Sequence, residues 1–108
     1  MKKTKLLNGQ EIFCITPREA QILHEHINGY IDNFIKIKNN DTIIDIGANI
    51  GIFGLELSLK YPNIEIFSFE PILDIFNVLK ENAKNTQNKN FKFYNYGISN
   101  EDETIDFT

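Results

Sequence analysis

The chain has 108 residues, of which 42% are hydrophobic, 12% aromatic and 24% charged. That balance supports one compact domain and excludes both two ordinary domains and wholesale disorder. A formal net charge of −4, from 11 basic and 15 acidic residues, speaks against a nucleic-acid or anionic-membrane partner held by bulk charge.

The single cysteine, Cys14, rules out a disulfide framework and a zinc site built on cysteine, and it fits a reducing cytoplasm. No apolar run approaches the roughly 20 residues a membrane-spanning helix needs. The basic start, Met1-Lys2-Lys3-Thr4-Lys5, is followed by Asn8, Gly9, Gln10 and Glu11 rather than by the apolar stretch of a signal peptide.

Residues 5–7 and 11–15 are short apolar segments on either side of Asn8-Gly9, a pair that tolerates positive φ, so a small β-hairpin is predicted there. Thr16-Pro17-Arg18-Glu19 reads as a helix start, with Thr16 as cap, Pro17 at the first helical position and Glu19 completing a capping box. Ala20, Leu23, Ile27, Tyr30, Ile31 and Phe34 continue as a helical stripe, with Gly29 a candidate break. On this stretch His24 and His26 face different sides of the helix and are expected in solvent, with no metal role.

Beyond the turn at Asn39-Asn40-Asp41, residues 42–46 form an unalternated β-branched run, which predicts a strand buried on both faces, as in a parallel sheet. The loop Gly47-Ala48-Asn49-Ile50-Gly51 leads into a predicted helix at 52–60. A strand at 64–69 ends at Glu70-Pro71, a helix spans 72–84, and a third strand covers 91–96. A turn at 97–100 and an edge-type strand at 103–107 complete the reading, with Glu101-Asp102-Glu103 in a solvated turn. Strand, helix, strand, helix, strand implies right-handed crossovers and a parallel sheet. The chain thus divides into a lead-in at 1–38 and an α/β, Rossmann-like part at 39–108.

In such sheets ligands bind beyond the carboxyl ends of the strands. Asp45 with its glycine loop, Glu70 and Gly97 all stand at such ends. Asp45 closes an apolar strand, where an unsatisfied carboxylate is costly unless backbone N–H groups or a cationic ligand meet it. Gly47 permits a sharp exit from the strand, and Gly51 is expected to let the helix start pack close to the sheet and a ligand approach the backbone. Glu70 is placed to accept the vicinal hydroxyls of a ribose. The glycines at 47, 51 and 54 do not fit the dinucleotide fingerprint, since Asn49 and Ile52 occupy its second and third glycine positions. No lysine lies in the loop, so a phosphate-cradling P-loop fails too. A ligand with a ribose and positive charge suits two carboxylates better, and S-adenosylmethionine carries both.

On these residues the chain resembles the first half of a class I S-adenosylmethionine-dependent methyltransferase from position 42 onward. Asp45-Ile46-Gly47-Ala48-Asn49-Ile50-Gly51 with Phe69-Glu70-Pro71, then Asn82 and Tyr96-Gly97-Ile98-Ser99, is similar to the FkbM-type methyltransferases, mostly O-methyltransferases of sugars and natural products. The N-terminal hairpin and helix also look like that family's lead-in. The resemblance implies that Asp45, Gly47 and Gly51 meet the methionine moiety and that Ala48 and Asn49 add loop contacts. It further implies that Glu70 holds the ribose, that Pro71 fixes the turn beneath the adenosine, and that Gly97 and Ile98 lie near the adenine. It implies in-line attack by a hydroxyl of a small-molecule or glycan acceptor on the sulfonium methyl, helped mainly by positioning, with no base to name here. The family fold continues past this length. A truncated chain, inactive alone or completed by a dimer partner, is therefore expected, with the Asp45 strand left at a sheet edge. The rival readings are a non-catalytic nucleoside-binding or interaction module and an NAD(P)-dependent oxidoreductase.

Overall fold

The computed structural model describes residues 1–97, and the readings placed on 98–108 lie outside the described residues. The elements run β1 (Lys2–Lys5), β2 (Glu11–Cys14), α1 (Pro17–Phe34), β3 (Thr42–Ile46), α2 (Ile52–Lys60), β4 (Glu65–Phe69), α3 (Leu73–Lys84) and β5 (Phe91–Tyr94). β1 and β2 pair antiparallel, whereas β3, β4 and β5 form a parallel sheet in that order. The mixed α/β architecture predicted from the sequence is thus present.

The hairpin is built differently from its prediction. Its strands lie further from Asn8-Gly9, with Lys5 opposite Glu11. Gly9 donates its N–H to the Leu6 carbonyl at 2.9 Å and sits at φ +88, a turn followed by a left-handed glycine rather than a two-residue loop. Asn8 keeps negative φ, and its side-chain amide donates to Glu56 at 2.7 Å.

The α1 helix begins at Pro17 as predicted, but Thr16 makes no side-chain capping bond and Gly29 does not break it. Its buried stripe also differs. Ala20 and Ile31 are buried and Tyr30 is exposed, while His24, expected in solvent, is 1% exposed. His24 Nε2 lies 3.0 Å from Glu56 Oε2 on α2, and a carboxylate only accepts, so this nitrogen carries the proton. The pair pins α1 to α2.

Strand register sorts the sheet into two faces. Ile43 and Asp45 share one with Ile66, Ser68, Phe91 and Phe93. The α2 and α3 helices cover that face, with Phe76 of α3 against the Phe93 ring. The close approach of α2 is made at Gly54, where an added Cβ would stand 2.5 Å from the Phe91 ring. It is not made at Gly51, whose Cβ would meet Leu79 of α3 at 2.6 Å. Gly54→Ala is therefore expected to cost about 1–3 kcal/mol by overpacking, read as a lower urea midpoint. An unchanged midpoint would mean that the ring swings aside freely.

The opposite face corrects the sequence reading. β3 was expected to be buried on both sides, yet Ile44 and Ile46 are 63% and 62% exposed. Among the described residues nothing packs over them, and β3 has a strand neighbour on one side only, the edge position expected for a shortened sheet.

Candidate functional site

The site is assembled at the carboxyl ends of β3 and β4, where register sets Asp45 beside Ser68 and Ile46 beside Phe69. The chain leaves β3 through Gly47 at φ +73, crosses Asn49 at φ 56 and enters α2 through Gly51 at φ +93. Three left-handed residues in five turn the backbone sharply, and glycine removes the steric cost at two of them. The N–H groups of Gly47 and Ala48 both donate to the Phe69 carbonyl, at 2.9 and 3.0 Å, and Gly51 N–H closes onto Ala48 at 3.1 Å. An added Cβ at Gly47 would meet nothing within 4 Å, so the backbone there borders open space.

Glu70 is buried, and both of its carboxylate oxygens are engaged. Oε1 accepts the Asn49 N–H at 2.9 Å and Oε2 the Ile72 N–H at 3.0 Å. The residue assigned from sequence to a ribose is therefore also a clamp between the glycine loop and the start of α3. Each oxygen keeps a further lone pair for a ligand hydroxyl. Pro71 follows in a turn held by the residue after β5, where the Asn95 amide donates to the Glu70 and Pro71 carbonyls at 3.0 and 3.1 Å. Gly97 is exposed, and Ile98 lies outside the described residues.

Asp45 is the electrostatic centre. Its Oδ2 is buried without a hydrogen-bond partner. Burial first, and the Glu70 carboxylate second, push its pKa from 3.8 up to about 6. Neither backbone N–H groups nor a side-chain cation satisfies that oxygen, which leaves it to a cationic or proton-donating ligand. A cavity of about 240 Å³ borders the loop from another direction, lined by Asn49 and Ile50 with Thr16, Glu19 and Leu23 of α1 and its cap and Ile75 of α3.

Two features were given no role at the site by the sequence reading, although Asn82 stood in the motif that carries the resemblance. One is Asn95. The other is Asn82 of α3, which donates to the Ile50 carbonyl at 2.7 Å inside the glycine loop.

Known proteins resemble this chain in sequence and in fold. Over 100 residues the chain is 35% identical to methyltransferase sdnD of Sordaria araneosa, covering 89% of this chain and 38% of that protein. Over 82 residues it is 33% identical to the 31-O-demethyl-FK506 methyltransferase FkbM of Streptomyces tacrolimicus, covering 73% of this chain and 32% of the relative. The chain thus spans about a third of the length of the curated relatives it matches. No family model matches it. Coclaurine N-methyltransferase, solved bound to N-methylheliamine and SAH, superposes with a TM-score of 0.62 over 82% of this chain and 25% of that one, at 18% identity. Precorrin-6y C5,15-methyltransferase of Geobacter metallireducens gives 0.56 over 69% of this chain and 37% of that one, at 20% identity.

The chain is similar in sequence to methyltransferases and shares the Rossmann-like fold of the class I enzymes.

In methyltransferase terms, β3, the glycine loop and α2 form the first strand-loop-helix unit of a Rossmann-like fold, and β4 with Glu70 forms the second. The sheet is a partial one among the described residues. No described helix is long and apolar enough to cross a membrane.

Proposed function

We propose that this chain is the S-adenosylmethionine-binding portion of an FkbM-type methyltransferase that transfers a methyl group to a hydroxyl of a small-molecule or glycan acceptor. The observation that carries the reading is the unpartnered Asp45 oxygen beside the open backbone of Gly47, with Glu70 at the next strand end. That donor set suits a ligand with a positive amino-acid end and a ribose. The chemistry S-adenosylmethionine supplies is an electrophilic methyl group on a sulfonium.

The chain's own residues bind and orient. Asp45 meets the ammonium, Gly47 and Gly51 keep the backbone close, and Ala48 and Asn49 shape the loop. Glu70 accepts the ribose hydroxyls on its remaining lone pairs, and Pro71 sets the turn below them. Transfer to oxygen, rather than to nitrogen or carbon, is supported by the FkbM relative, whose name places its methyl group on an oxygen. A cytoplasmic setting is supported by the single, buried cysteine. Acceptor recognition falls to residues beyond the cofactor loop, as does any catalytic base.

Calorimetric titration of S-adenosylmethionine into the folded chain tests the reading. Saturable binding is expected, together with no fluorescence enhancement of NADH. Glu70→Ala is expected to weaken binding by about tenfold or more, since it removes the ribose acceptor and frees two backbone N–H groups. A folded chain that binds NADH, or neither ligand, would overturn the proposal.

A further inference from the structure

We propose that Asn82 is a positioning residue for the cofactor loop and couples the N-terminal hairpin to it; this rests on the cofactor reading above. Asn82 is 2% exposed, in the middle of α3. Its amide uses both protons and its carbonyl. Oδ1 accepts the Phe13 N–H at 2.8 Å, and Nδ2 donates to the Phe13 carbonyl at 3.0 Å and to the Ile50 carbonyl at 2.7 Å. One side chain thus completes the outer hydrogen-bonding edge of β2 and grips the loop one residue before Gly51.

The loop needs such a grip. Asn49 holds a left-handed φ of 56 without being glycine, and Gly51 one of +93. The only other side-chain anchor on the loop from outside it, among the described residues, is Glu70 on the Asn49 N–H. Glu70 fixes the amide side of the turn and Asn82 fixes a carbonyl two peptide units on. Together they hold the peptides that border the open space at Gly47. A cofactor that binds the ordered loop must, by reciprocity, stabilise the hairpin through the same amide.

Asn88 supplies a matched control. It is a buried amide at the other end of the sheet, donating to Ser58 and to the Ile64 carbonyl, both at 3.1 Å, and accepting the Asn90 N–H at 3.0 Å. It touches neither the loop nor the hairpin in these bonds. Asn82→Ala and Asn88→Ala are compared at a temperature where circular dichroism shows both folded. Each removes three buried hydrogen bonds, so both lower the thermal midpoint. Only Asn82→Ala is expected to weaken S-adenosylmethionine binding, by about tenfold or more, and to speed hydrogen exchange at the Gly51 amide by a similar factor while strand amides keep their protection. Asn82→Asp, which keeps the acceptor for Phe13 and loses both donors, is expected to behave like the alanine variant at Gly51.

Equal affinity in the two alanine variants, or unchanged exchange at Gly51 in Asn82→Ala, overturns the inference. If the unaltered chain binds no S-adenosylmethionine, the functional proposal falls instead, and exchange at Gly51 alone decides the role of Asn82.

Discussion

Glu56→Ala is expected to be the most damaging single substitution to stability, costing about 3 kcal/mol and lowering the thermal midpoint by roughly 10 °C or more. Glu56 is 5% exposed and sits on α2, where Oε2 receives His24 Nε2 at 3.0 Å and the Asn8 amide at 2.7 Å. Lys60 stands 3.9 Å from its other oxygen. Removing the carboxylate takes the acceptor from a buried imidazole N–H and from the part-buried Asn8 amide at once. His24 Nδ1 already lacks a partner, and the other polar groups near Nε2 are the Asn28 and Asn8 amide nitrogens, which cannot accept its N–H. Three separate pieces of chain meet at this acid: the hairpin loop, α1 and α2. The exposed Lys3–Glu11 pair offers the contrast, since alanine there should cost well under about 1 kcal/mol. The measurement is urea unfolding followed by circular dichroism. A Glu56→Ala midpoint close to that of the unaltered chain would show that the cluster adds nothing net. Replacing His24 and Glu56 together by leucine should recover part of the loss, because no charge or ring N–H is then left unpaired.

Asp45→Asn is expected to act in opposite directions on stability and on binding. The folded chain holds the Asp45 proton up to about pH 6, whereas the unfolded chain releases it near 3.8. The folded state therefore binds more protons between those values, and stability falls as pH rises through them. The full difference corresponds to about 3 kcal/mol, and the part of the group in contact with solvent reduces the expected gain to about 1–2 kcal/mol. Asp45→Asn should show that gain at pH 7.5 and none at pH 4. The same variant should lose most of its affinity for S-adenosylmethionine, because a neutral amide offers the ammonium no charge. In the unaltered chain, affinity should decline as pH drops through about 6, where Asp45 takes up its proton. A variant less stable than the parent at pH 7.5, or one that binds undiminished, would remove Asp45 from the centre of the site.

From residue 42 on, the elements were readable because local signals agree: apolar runs for strands, glycine or proline at the boundaries up to α3, an asparagine-rich turn after it, helical spacing between. The site residues were readable for a related reason. Asp45 and Glu70 are acids where an apolar strand ends, an anomaly visible without any tertiary knowledge. Three features were not readable, each for a physical cause. The burial of His24 depends on Glu56, 32 positions away, and nothing local in the Leu-Glu-Leu-Ser-Leu stretch marks Glu56 as its partner. In fact α2 buries Leu55, Glu56, Leu57 and Ser58 in succession and exposes Leu59. The exposure of Ile44 and Ile46 was hidden because an apolar run records what a strand is built to cover, not what covers it. The role of Asn82 had one local hint: asparagine is a poor residue for a helix interior, since its side chain competes for backbone groups. In α3 it does bond backbone groups, but those of other segments.

Among the described residues one side of β3 is unpaired, and it acts as a template with a grammar. β5, at the other margin, is only four residues long and carries Lys92, which discourages further pairing. β3 has no such guard. Side chains alternate along it with a period of two, so a strand that joins must set its own apolar residues level with Ile44 and Ile46, and a slip of one residue would put them on the wrong side. Admission to this margin is therefore decided by pattern and register. Because β3 ends in Asp45 and Ile46, a strand that joins it in parallel delivers its own last residues to the rim of the glycine loop.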